Sequence, residues 1–404
     1  MKRLVLKFGG TSVGNIEKIK KVAHIVKKRH EEGNEIIVVV SAMSGVTNEL
    51  AKKASLISNN FDSKELDVLL SSGEQVSSSL LSGAIIESGI KARSWLGWQI
   101  PIVTDSNHTA SQIIKIKTDQ ILKFISEKGI AVIAGFQGIA QDGRITTLGR
   151  GGSDLSAVAI AKFFETDFCE IYTDVEGILT TDPNMHKKAK KIEKISYEEM
   201  LEMASLGAKV MQPSAVQASM INDIQIHVRS SFSEKSGTKI ISEDNIDHHK
   251  AVTGIAYSKN NAKVSIVGVV DKPGVAADIF EPIGKNNINI DMVIQNTSLD
   301  GKTANITFTI KQEDLNKTLD IIKKNKKKLN YKKIIHDEKL AKISIVGAGM
   351  ITSPGVTHKM FRSLADEKIN ILAISTSEIK ISVLVQEDLT QKAVKILHET
   401  FELN

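Results

Sequence analysis

The chain has 404 residues, 41% of them hydrophobic, and its 53 lysines and arginines exceed its 47 aspartates and glutamates by six. This length predicts two or three domains, and a single cysteine, Cys169, excludes an internal disulfide. No apolar run approaches the roughly 18–20 residues that a membrane span needs. The short apolar run at the N-terminus is interrupted by Lys7. We therefore expect a folded, soluble, cytoplasmic protein without a signal peptide.

Up to about residue 242, apolar strands alternate with amphipathic helices. Strands are predicted at Arg3–Phe8, Glu35–Ser41, Ile130–Phe136, Phe168–Thr173 and Ile224–Ser230. Helices are predicted at Ile16–Glu32, Asn48–Ile57, Ser63–Ser88 and Asp154–Phe164. Continuous apolar strands that alternate with helices are typical of a parallel sheet covered on both faces.

The polar segment Ser242–Lys250 marks a boundary, and an internal repeat follows it. Ala262–Gly268 (AKVSIVG) recurs as Ala341–Gly347 (AKISIVG), and the Pro-Gly-Val at 273–275 recurs at 354–356. Each copy follows the order strand, helix, strand, strand, helix, which predicts a ferredoxin-like module. Modules of this size bury little core alone, so we expect them to pair.

The segment Lys7–Gly14 (KFGGTSVG) lies between a predicted strand and a predicted helix. Glycines let backbone N–H groups approach an anion, and the helix N-terminus adds positive potential. Lys7 supplies a point charge suited to phosphate oxygens. A tight strand-to-helix turn with a solvated lysine is the alternative, and the position of Lys7 favours phosphate binding.

A second glycine-rich loop, Leu148–Ser156 (LGRGGSDLS), also precedes an apolar helix. Ser153 or Asp154 is a candidate N-cap of that helix. Arg150 is one of only seven arginines, against 46 lysines, and a guanidinium offers the bidentate fork that fits a carboxylate. The alternative is that Asp154 only caps and Arg150 only faces solvent.

Further candidate segments are Ser41–Asn48, which follows a predicted strand, and Ser71–Gln75, which opens a helix. Tyr172–Gly177 follows another strand, and Thr180–Asn184 comes shortly after it. Thr47 is a candidate partner for a carboxylate and Glu74 for an ammonium group, although helix capping explains each one alone. Ligands of open α/β sheets bind at such loops, outside the C-terminal strand ends.

Basic residues also cluster at Lys323–Lys333, which holds seven lysines but only Tyr331 as an aromatic. Binding of single-stranded nucleic acid relies on stacking, so a solvated helix end is the favoured interpretation. We expect neither a nucleic acid nor a membrane partner. The histidines and the cysteine show no metal-ligand spacing.

Five segments together resemble the aspartate kinase family: Lys7–Val13, Ser41–Leu50, Ser71–Gln75, Gly149–Ala157 and Tyr172–Asn184. The resemblance spans nearly the whole chain. It implies a three-layer α/β/α sandwich with a mainly parallel sheet, the amino-acid kinase fold, followed by two ferredoxin-like βαββαβ ACT domains. Because the sequence ends at Asn404, soon after the second copy, we expect a monofunctional enzyme.

The same resemblance implies domain boundaries. The catalytic domain would span 1–245, the first ACT domain 262–335 and the second 336–404. Residues 251–261 would contribute a strand to the second ACT domain.

The resemblance implies ATP-dependent phosphorylation of the side-chain carboxylate of L-aspartate, the entry to lysine, threonine and methionine synthesis. Lys7 and Asp154 would be catalytic. The predicted ATP contacts are Lys7, Gly9, Gly10, Ser12, Thr173, Asp174, Asp182, Pro183 and Lys209. The predicted aspartate contacts are Ser41, Thr47, Glu74, Arg150, Gly152 and Ser153. Mg²⁺ would arrive with ATP rather than on a protein motif.

For the repeat, the resemblance implies inhibition by lysine and/or threonine at an interface between ACT domains, in a homodimer or tetramer. The predicted effector contacts are Asp271, Gly274, Val275, Asn289, Asp291 and Gln295. Two alternatives stay open. One is another amino-acid kinase that acts on glutamate or a nucleotide, and the other is a catalytically silent amino-acid sensor.

Overall fold

A computed structural model describes residues 2–166, 168–207, 210–246, 250–297 and 301–403. The chain divides into two compact units. The first comprises Met1–Leu179, Lys191–Ser205 and Lys209–Asp247, and the second comprises Thr180–Lys190, Leu206–Ala208 and His248–Asn404. Within the described residues, no helix is both long and apolar enough to cross a membrane.

Two sheets organise the described part of the first unit. The strands are β1 (Arg3–Phe8), β2 (Glu35–Val40), β3 (Ala92–Trp95), β4 (Ile102–Thr104), β5 (Ile113–Ile116), β6 (Ile130–Ala134), β7 (Gln137–Ile139), β8 (Ile145–Thr147), β9 (Phe168–Thr173), β10 (Lys194–Ser196), β11 (Gln225–Ser230) and β12 (Thr238–Ile241). The larger sheet has the order β10-β12-β11-β9-β1-β2-β6-β3, and the smaller has the order β5-β4-β7-β8. In the larger sheet only the pair β11 and β12 is antiparallel among the described strands.

Helices cover both faces of the larger sheet. They are α1 (Ile16–Glu31), α2 (Val46–Ile57), α3 (Ser63–Glu87), α4 (Asp119–Ser126), α5 (Gly152–Phe163), α6 (Tyr197–Ser205) and α7 (Pro213–Asn222). Leu6 and Val38 pack with α1 and α3 in one buried core. Since side chains alternate along a strand, the intervening residues of β1 and β2 face the opposite side, where α5 packs. The predicted three-layer α/β/α sandwich is confirmed.

The second unit contains the repeat as a six-stranded sheet of the order β14-β15-β13-β16-β18-β17. Its strands are β13 (Gly254–Val270), β14 (Asp291–Thr297), β15 (Thr303–Lys311), β16 (Lys333–Val346), β17 (Ala373–Thr376) and β18 (Lys380–Gln386). Its helices are α8 (Val275–Gly284), α9 (Leu315–Lys324), α10 (Lys326–Leu329), α11 (Val356–Asp366) and α12 (Thr390–Thr400). Each copy has its own buried core, so the predicted ferredoxin-like modules are confirmed.

Long strands join the two copies. The first half of β13, Gly254–Ser258, pairs antiparallel with Lys342–Val346 of β16. The second half of β13 pairs with β15 and with the first half of β16. Both strands are longer than the sequence pattern indicates, and β16 runs through the position of the predicted boundary at 335. The backbone of each copy thereby completes the sheet of the other.

Candidate active site

The C-terminal ends of four neighbouring strands lie at one edge of the larger sheet. The strands β9, β1, β2 and β6 are adjacent and parallel, with Tyr172 opposite Phe8 and Phe8 opposite Val40. The glycine loop after β1, the segment 41–45 after β2 and Phe136 after β6 therefore emerge side by side. The segments Lys7–Gly14, Ser41–Asn48 and Tyr172–Gly177 therefore meet at this edge, where open α/β sheets bind ligands.

Lys7 and Asp154 meet at this edge from two different elements. Lys7 is the penultimate residue of β1, and the alternation of side chains turns it towards α5. Helix α5 begins at Gly152, and Asp154 lies in its first turn. The Lys7 ammonium forms an ion pair with the Asp154 carboxylate, and each side chain is 10% exposed.

The predicted capping of this helix by Ser153 or Asp154 is wrong. The N-cap is Gly151, with a φ of 76° and no side-chain cap bond. A position with this left-handed backbone conformation favours glycine. The chain turns sharply at Gly151, one position before the helix begins. Asp154 is consequently inside the helix, where its carboxylate is available to Lys7.

The loop after β1 packs closely against the segment that follows β2. A Cβ atom on Gly10 would lie 2.8 Å from the Ala42 carbonyl oxygen, a distance that excludes a side chain. The Ser44 N–H donates to the Gly10 carbonyl at 3.1 Å, and the Gly9 N–H donates to the Tyr172 carbonyl at 3.1 Å. Glycine at position 10 is therefore required for the approach of the two loops.

Glu74 lies in the middle of α3, so helix capping does not explain it. A Cβ on the preceding Gly73 would lie 2.8 Å from the Ala42 Cβ, so α3 is in contact with the segment after β2. Glu74 Oε1 accepts a hydrogen bond from the Ala42 N–H at 3.0 Å. The side chain is buried, and Oε2 has no hydrogen-bond partner among the described residues. Burial raises the pKa of Glu74 to about 7.

A cavity of about 680 Å³ lies between these loops and α3. Nine of the predicted site residues line it: Lys7, Gly10, Ser41, Thr47, Glu74, Arg150, Gly152, Ser153 and Asp154. Arg150 is exposed, and within the described residues its guanidinium has no ion-pair partner. Every predicted aspartate contact is therefore in this group. The cavity presents cations at Lys7 and Arg150 and carboxylates at Glu74 and Asp154.

The other predicted nucleotide residues that the structure describes lie outside this cavity lining. Ser12 is buried, and its hydroxyl accepts a hydrogen bond from Ser231 Oγ at 2.6 Å. Thr173 Oγ1 donates to Asp174 Oδ1 at 3.1 Å, at the end of β9. Asp182 and Pro183 belong to the second unit, where Asp182 Oδ2 accepts from the Tyr257 hydroxyl at 2.9 Å. Lys209 lies outside the described residues.

The predicted effector residues occupy two places in the first repeat copy. Asp271 and Gly274 lie in the loop between β13 and α8, where Gly274 is the N-cap and Val275 begins the helix. Asp291 begins β14, lies opposite Thr309 of β15 and forms an ion pair with Lys342. Because β13 ends opposite Thr303, roughly 20 Å of strand separates Asp291 from the Asp271 loop. A single chain does not bring all six together.

Several cavity residues escaped the sequence-based prediction. Phe136, Thr147 and Gln212 line the cavity, and the rule that strand ends meet at one edge was sufficient to find Phe136. Gln212 precedes α7 and has no local signal. In the described part of the chain, no group of three or more His, Cys, Asp or Glu side chains is placed to hold a metal ion.

Comparison with protein families assigns both parts of the chain. Residues 2–230 match the amino acid kinase family, and residues 264–325 and 343–401 match the ACT domain. A relative from Stutzerimonas stutzeri, aspartate kinase Ask_LysC, is 46% identical over 405 residues, which cover 100% of this chain and 98% of the relative. An aspartokinase from Pseudomonas aeruginosa is 46% identical over 406 residues, with the same coverage.

Solved structures show the same fold. Aspartokinase III of E. coli, in complex with aspartate and ADP, superposes with a TM-score of 0.82 at 24% identity. The match covers 99% of this chain and 100% of that one. The same E. coli enzyme with lysine and aspartate gives a TM-score of 0.77, covering 99% and 100% of the two chains at 24% identity.

Proposed function

The chain belongs to the aspartate kinase family, and we propose that it transfers the γ-phosphoryl group of ATP to the side-chain carboxylate of L-aspartate. The products would be 4-phospho-L-aspartate and ADP. The observation that carries this proposal is the distribution of charge in the 680 Å³ cavity. One buried cation, Lys7, lies beside the glycine loop, while Glu74 and Arg150 line the same cavity.

Glu74 and Arg150 match the two ends of an amino acid. The unpartnered Oε2 of Glu74 is a suitable acceptor for the substrate ammonium group, because a buried oxygen without a partner is costly. Arg150 offers a bidentate fork for the α-carboxylate. With both ends held, the side-chain carboxylate is left to face the phosphoryl donor, and Ser41, Thr47, Gly152 and Ser153 line the space around it.

The reaction needs positioning and charge neutralisation rather than a general base. A carboxylate is already ionised at neutral pH and attacks the γ-phosphorus with an oxygen lone pair. As that O–P bond forms, the bond from the γ-phosphorus to the β,γ-bridging oxygen breaks and ADP leaves with its electrons. The obstacle is the approach of one anion to a polyanion, which fixed positive groups reduce.

Lys7 and the glycine loop are the groups that would meet the phosphates. We assign the Lys7 ammonium to the transferring phosphoryl group and Gly9 and Gly10 to its oxygens. Asp154 holds the Lys7 ammonium in place through its ion pair. Mg²⁺ accompanying the nucleotide would screen the remaining phosphate charge. Ser12, Thr173, Asp174, Asp182, Pro183 and Lys209 stay predictions.

We further propose that this reaction begins the synthesis of lysine, threonine and methionine in the cytoplasm, and that the ACT pair mediates feedback inhibition. The E. coli fold relative was solved with lysine, which supports lysine as an effector. The proposed domains are 1–245, 262–335 and 336–404, with 251–261 adding a strand to the last. Assembly into a homodimer or tetramer through the ACT domains stays a prediction.

One assay separates the proposed function from its alternatives. ADP release is measured with MgATP and either L-aspartate, L-glutamate or no acceptor. We expect release with aspartate only, together with a hydroxamate product when hydroxylamine traps the acyl phosphate. Release with glutamate would indicate a different amino-acid kinase, and no release in any arm would indicate a silent sensor.

A further inference from the structure

Asp67 is a buried carboxylate that the proposed reaction does not use. It lies on α3, seven residues before Glu74, and its side chain is fully buried. Thr147 Oγ1 donates to Asp67 Oδ1 at 2.5 Å, and the Thr109 N–H lies 3.1 Å from both carboxylate oxygens. His108 Nδ1 lies 2.7 Å from Oδ2 and donates, because a carboxylate only accepts.

The network joins three segments of the aspartate cavity. Thr109 and Thr147 both line that cavity, as does Glu74 on the same helix as Asp67. Thr147 ends β8, and the chain runs from it directly into Gly149 and Arg150. The Asp67 side chain therefore connects α3 to the segment 105–112 and to Thr147, just before the loop that carries Arg150.

Thr109 has a conformation that needs such support. Its φ is 69°, in the left-handed region that β-branched residues rarely adopt. Its N–H is held by the Asp67 carboxylate, while its carbonyl oxygen would lie 3.1 Å from a Cβ on Gly149. Strain of this kind persists where the surroundings determine the backbone, and it concentrates at functional sites.

The geometry points to Asp67 as a positioning residue for aspartate binding. Its carboxylate holds the Thr109 backbone, Thr109 packs on Gly149, and Gly149 sets the start of the loop that carries Arg150. This inference rests on the proposed function, because it assumes that Arg150 binds the α-carboxylate of the substrate. It extends that function to a residue that lies behind the cavity wall and touches no substrate.

The hydrogen bonds to Asp67 require a side chain that accepts at both oxygens. Three donors converge on two oxygens, and an ionised carboxylate accepts all of them. In Asp67→Asn the side chain keeps one oxygen, and an NH₂ group replaces the other. The NH₂ group cannot accept a hydrogen bond from the donor that faces it, so part of the hydrogen-bond network is lost. Misplacement of a binding group by about 1 Å has large kinetic effects, so we expect the KM for aspartate to rise about tenfold or more. The KM for ATP should stay within twofold.

The matched control is Asp62→Asn, the same substitution on the same helix. Asp62 is the exposed N-cap of α3, and asparagine caps as well as aspartate. We expect both KM values of this variant to equal those of the wild type. If Asp67 were only structural, Asp67→Asn would lower the midpoint of thermal unfolding and kcat, leaving both KM values unchanged; that result would overturn the proposal.

A second pair of variants decides the question if Asp67→Asn fails to fold. His108 does not line the cavity, and its side chain contacts the Asp67 carboxylate through Nδ1. His108→Ala removes a donor and should raise the KM for aspartate, whereas His108→Asn places an amide N–H near the position of Nδ1 and should restore it. Equal KM values in the two variants would contradict the proposal.

The activity of the wild-type enzyme distinguishes a failure of the proposed function from a failure of the role of Asp67. A wild-type enzyme without aspartate-dependent ADP release would remove the proposed function and this proposal with it. An active wild type whose Asp67→Asn variant binds aspartate normally would remove only the role of Asp67.

Discussion

Lys7 and Asp154 form an ion pair in which each side chain is only 10% exposed, at the junction of β1 and α5. Removing two charges from water costs energy that their attraction only partly repays, so a buried pair is weak evidence for a stabilising role. The pair borders the 680 Å³ cavity beside Gly10. A held ammonium at this position suits a site that receives a phosphate polyanion, and this relationship leads to the first prediction.

Replacing Lys7 with methionine should abolish most of the activity. Methionine keeps the approximate length of the side chain and removes the charge that the proposed mechanism assigns to the transferring phosphoryl group. Removal of one preorganised group of this kind costs about 10²–10³-fold in kcat, which steady-state ADP release measures. Lys52→Met is the control, because Lys52 is an exposed lysine on α2. Near-normal turnover of Lys7→Met with a normal circular dichroism spectrum would exclude Lys7 from the mechanism.

The KM for aspartate should depend on pH through Glu74. Burial raises the pKa of Glu74 to about 7, so the side chain is neutral below that pH and charged above it. Because an ammonium group pairs with the carboxylate form, the KM for aspartate should fall as the pH rises from about 6 to about 8. At pH 8 the Glu74→Gln variant should have a higher KM for aspartate than the wild type, and its KM should not change with pH. A parallel slope in both proteins would contradict the assignment.

The buried Glu74 side chain should lower the stability of the folded protein at neutral pH. The folded protein retains a proton on Glu74 that the unfolded chain releases, because the pKa rises from 4.5 to about 7 on folding. Below pH 4.5 the pKa shift of Glu74 does not change the free energy of unfolding. As the pH rises above 4.5 the shift lowers the free energy of unfolding, by about 3 kcal/mol at pH 8. Urea unfolding should therefore show Glu74→Gln gaining stability relative to the wild type between pH 5 and 8, while its activity falls.

Arg150 should contribute to substrate binding and little to stability. It is exposed and has no ion-pair partner among the residues that the structure describes. Arg150→Lys keeps the charge but loses the bidentate geometry, so we expect the KM for aspartate to rise about tenfold with an unchanged midpoint of thermal unfolding. Arg362→Lys, on an exposed face of α11, is the control and should have no effect. An unchanged KM for aspartate in Arg150→Lys would show that the guanidinium does not bind the substrate carboxylate in a bidentate way.

The ACT pair should respond to an end-product amino acid. Kinase activity is titrated with lysine and threonine, singly and together, and we expect inhibition by at least one of them. Gln295 is an exposed residue of the edge strand β14, so Gln295→Ala should raise the inhibitory concentration about fivefold or more and leave uninhibited kcat unchanged. Activity that is insensitive to both amino acids, alone and combined, would exclude the proposed regulation.

Much of the architecture was predictable from local patterns. Glu35–Val40 is apolar at nearly every position and forms a strand buried on both faces, as the pattern indicates. Lys7 and Gly10 were identified from the glycine-rich segment between a predicted strand and a predicted helix, and Arg150 from a second such loop and the scarcity of arginine. Local patterns do not predict the length of β13, and a strand at 251–261 is an expectation of the family resemblance alone. In the structure, Gly254–Ser258 pairs with Lys342–Val346 of the second copy. That partner lies far along the chain, and no local periodicity encodes the pairing.

The sequence by itself determined the kind of residue available to the site, the order of the elements and the repeat. Hydrophobic periodicity and glycine positions are local properties, and they are sufficient for those conclusions. The tertiary structure alone decided the chemical state of Glu74 and the role of Asp67. Desolvation by burial raises the pKa of Glu74, and Asp67 acquires its donors from Thr109 and Thr147. Desolvation and hydrogen bonding depend on neighbours in space, which folding brings together from distant parts of the chain.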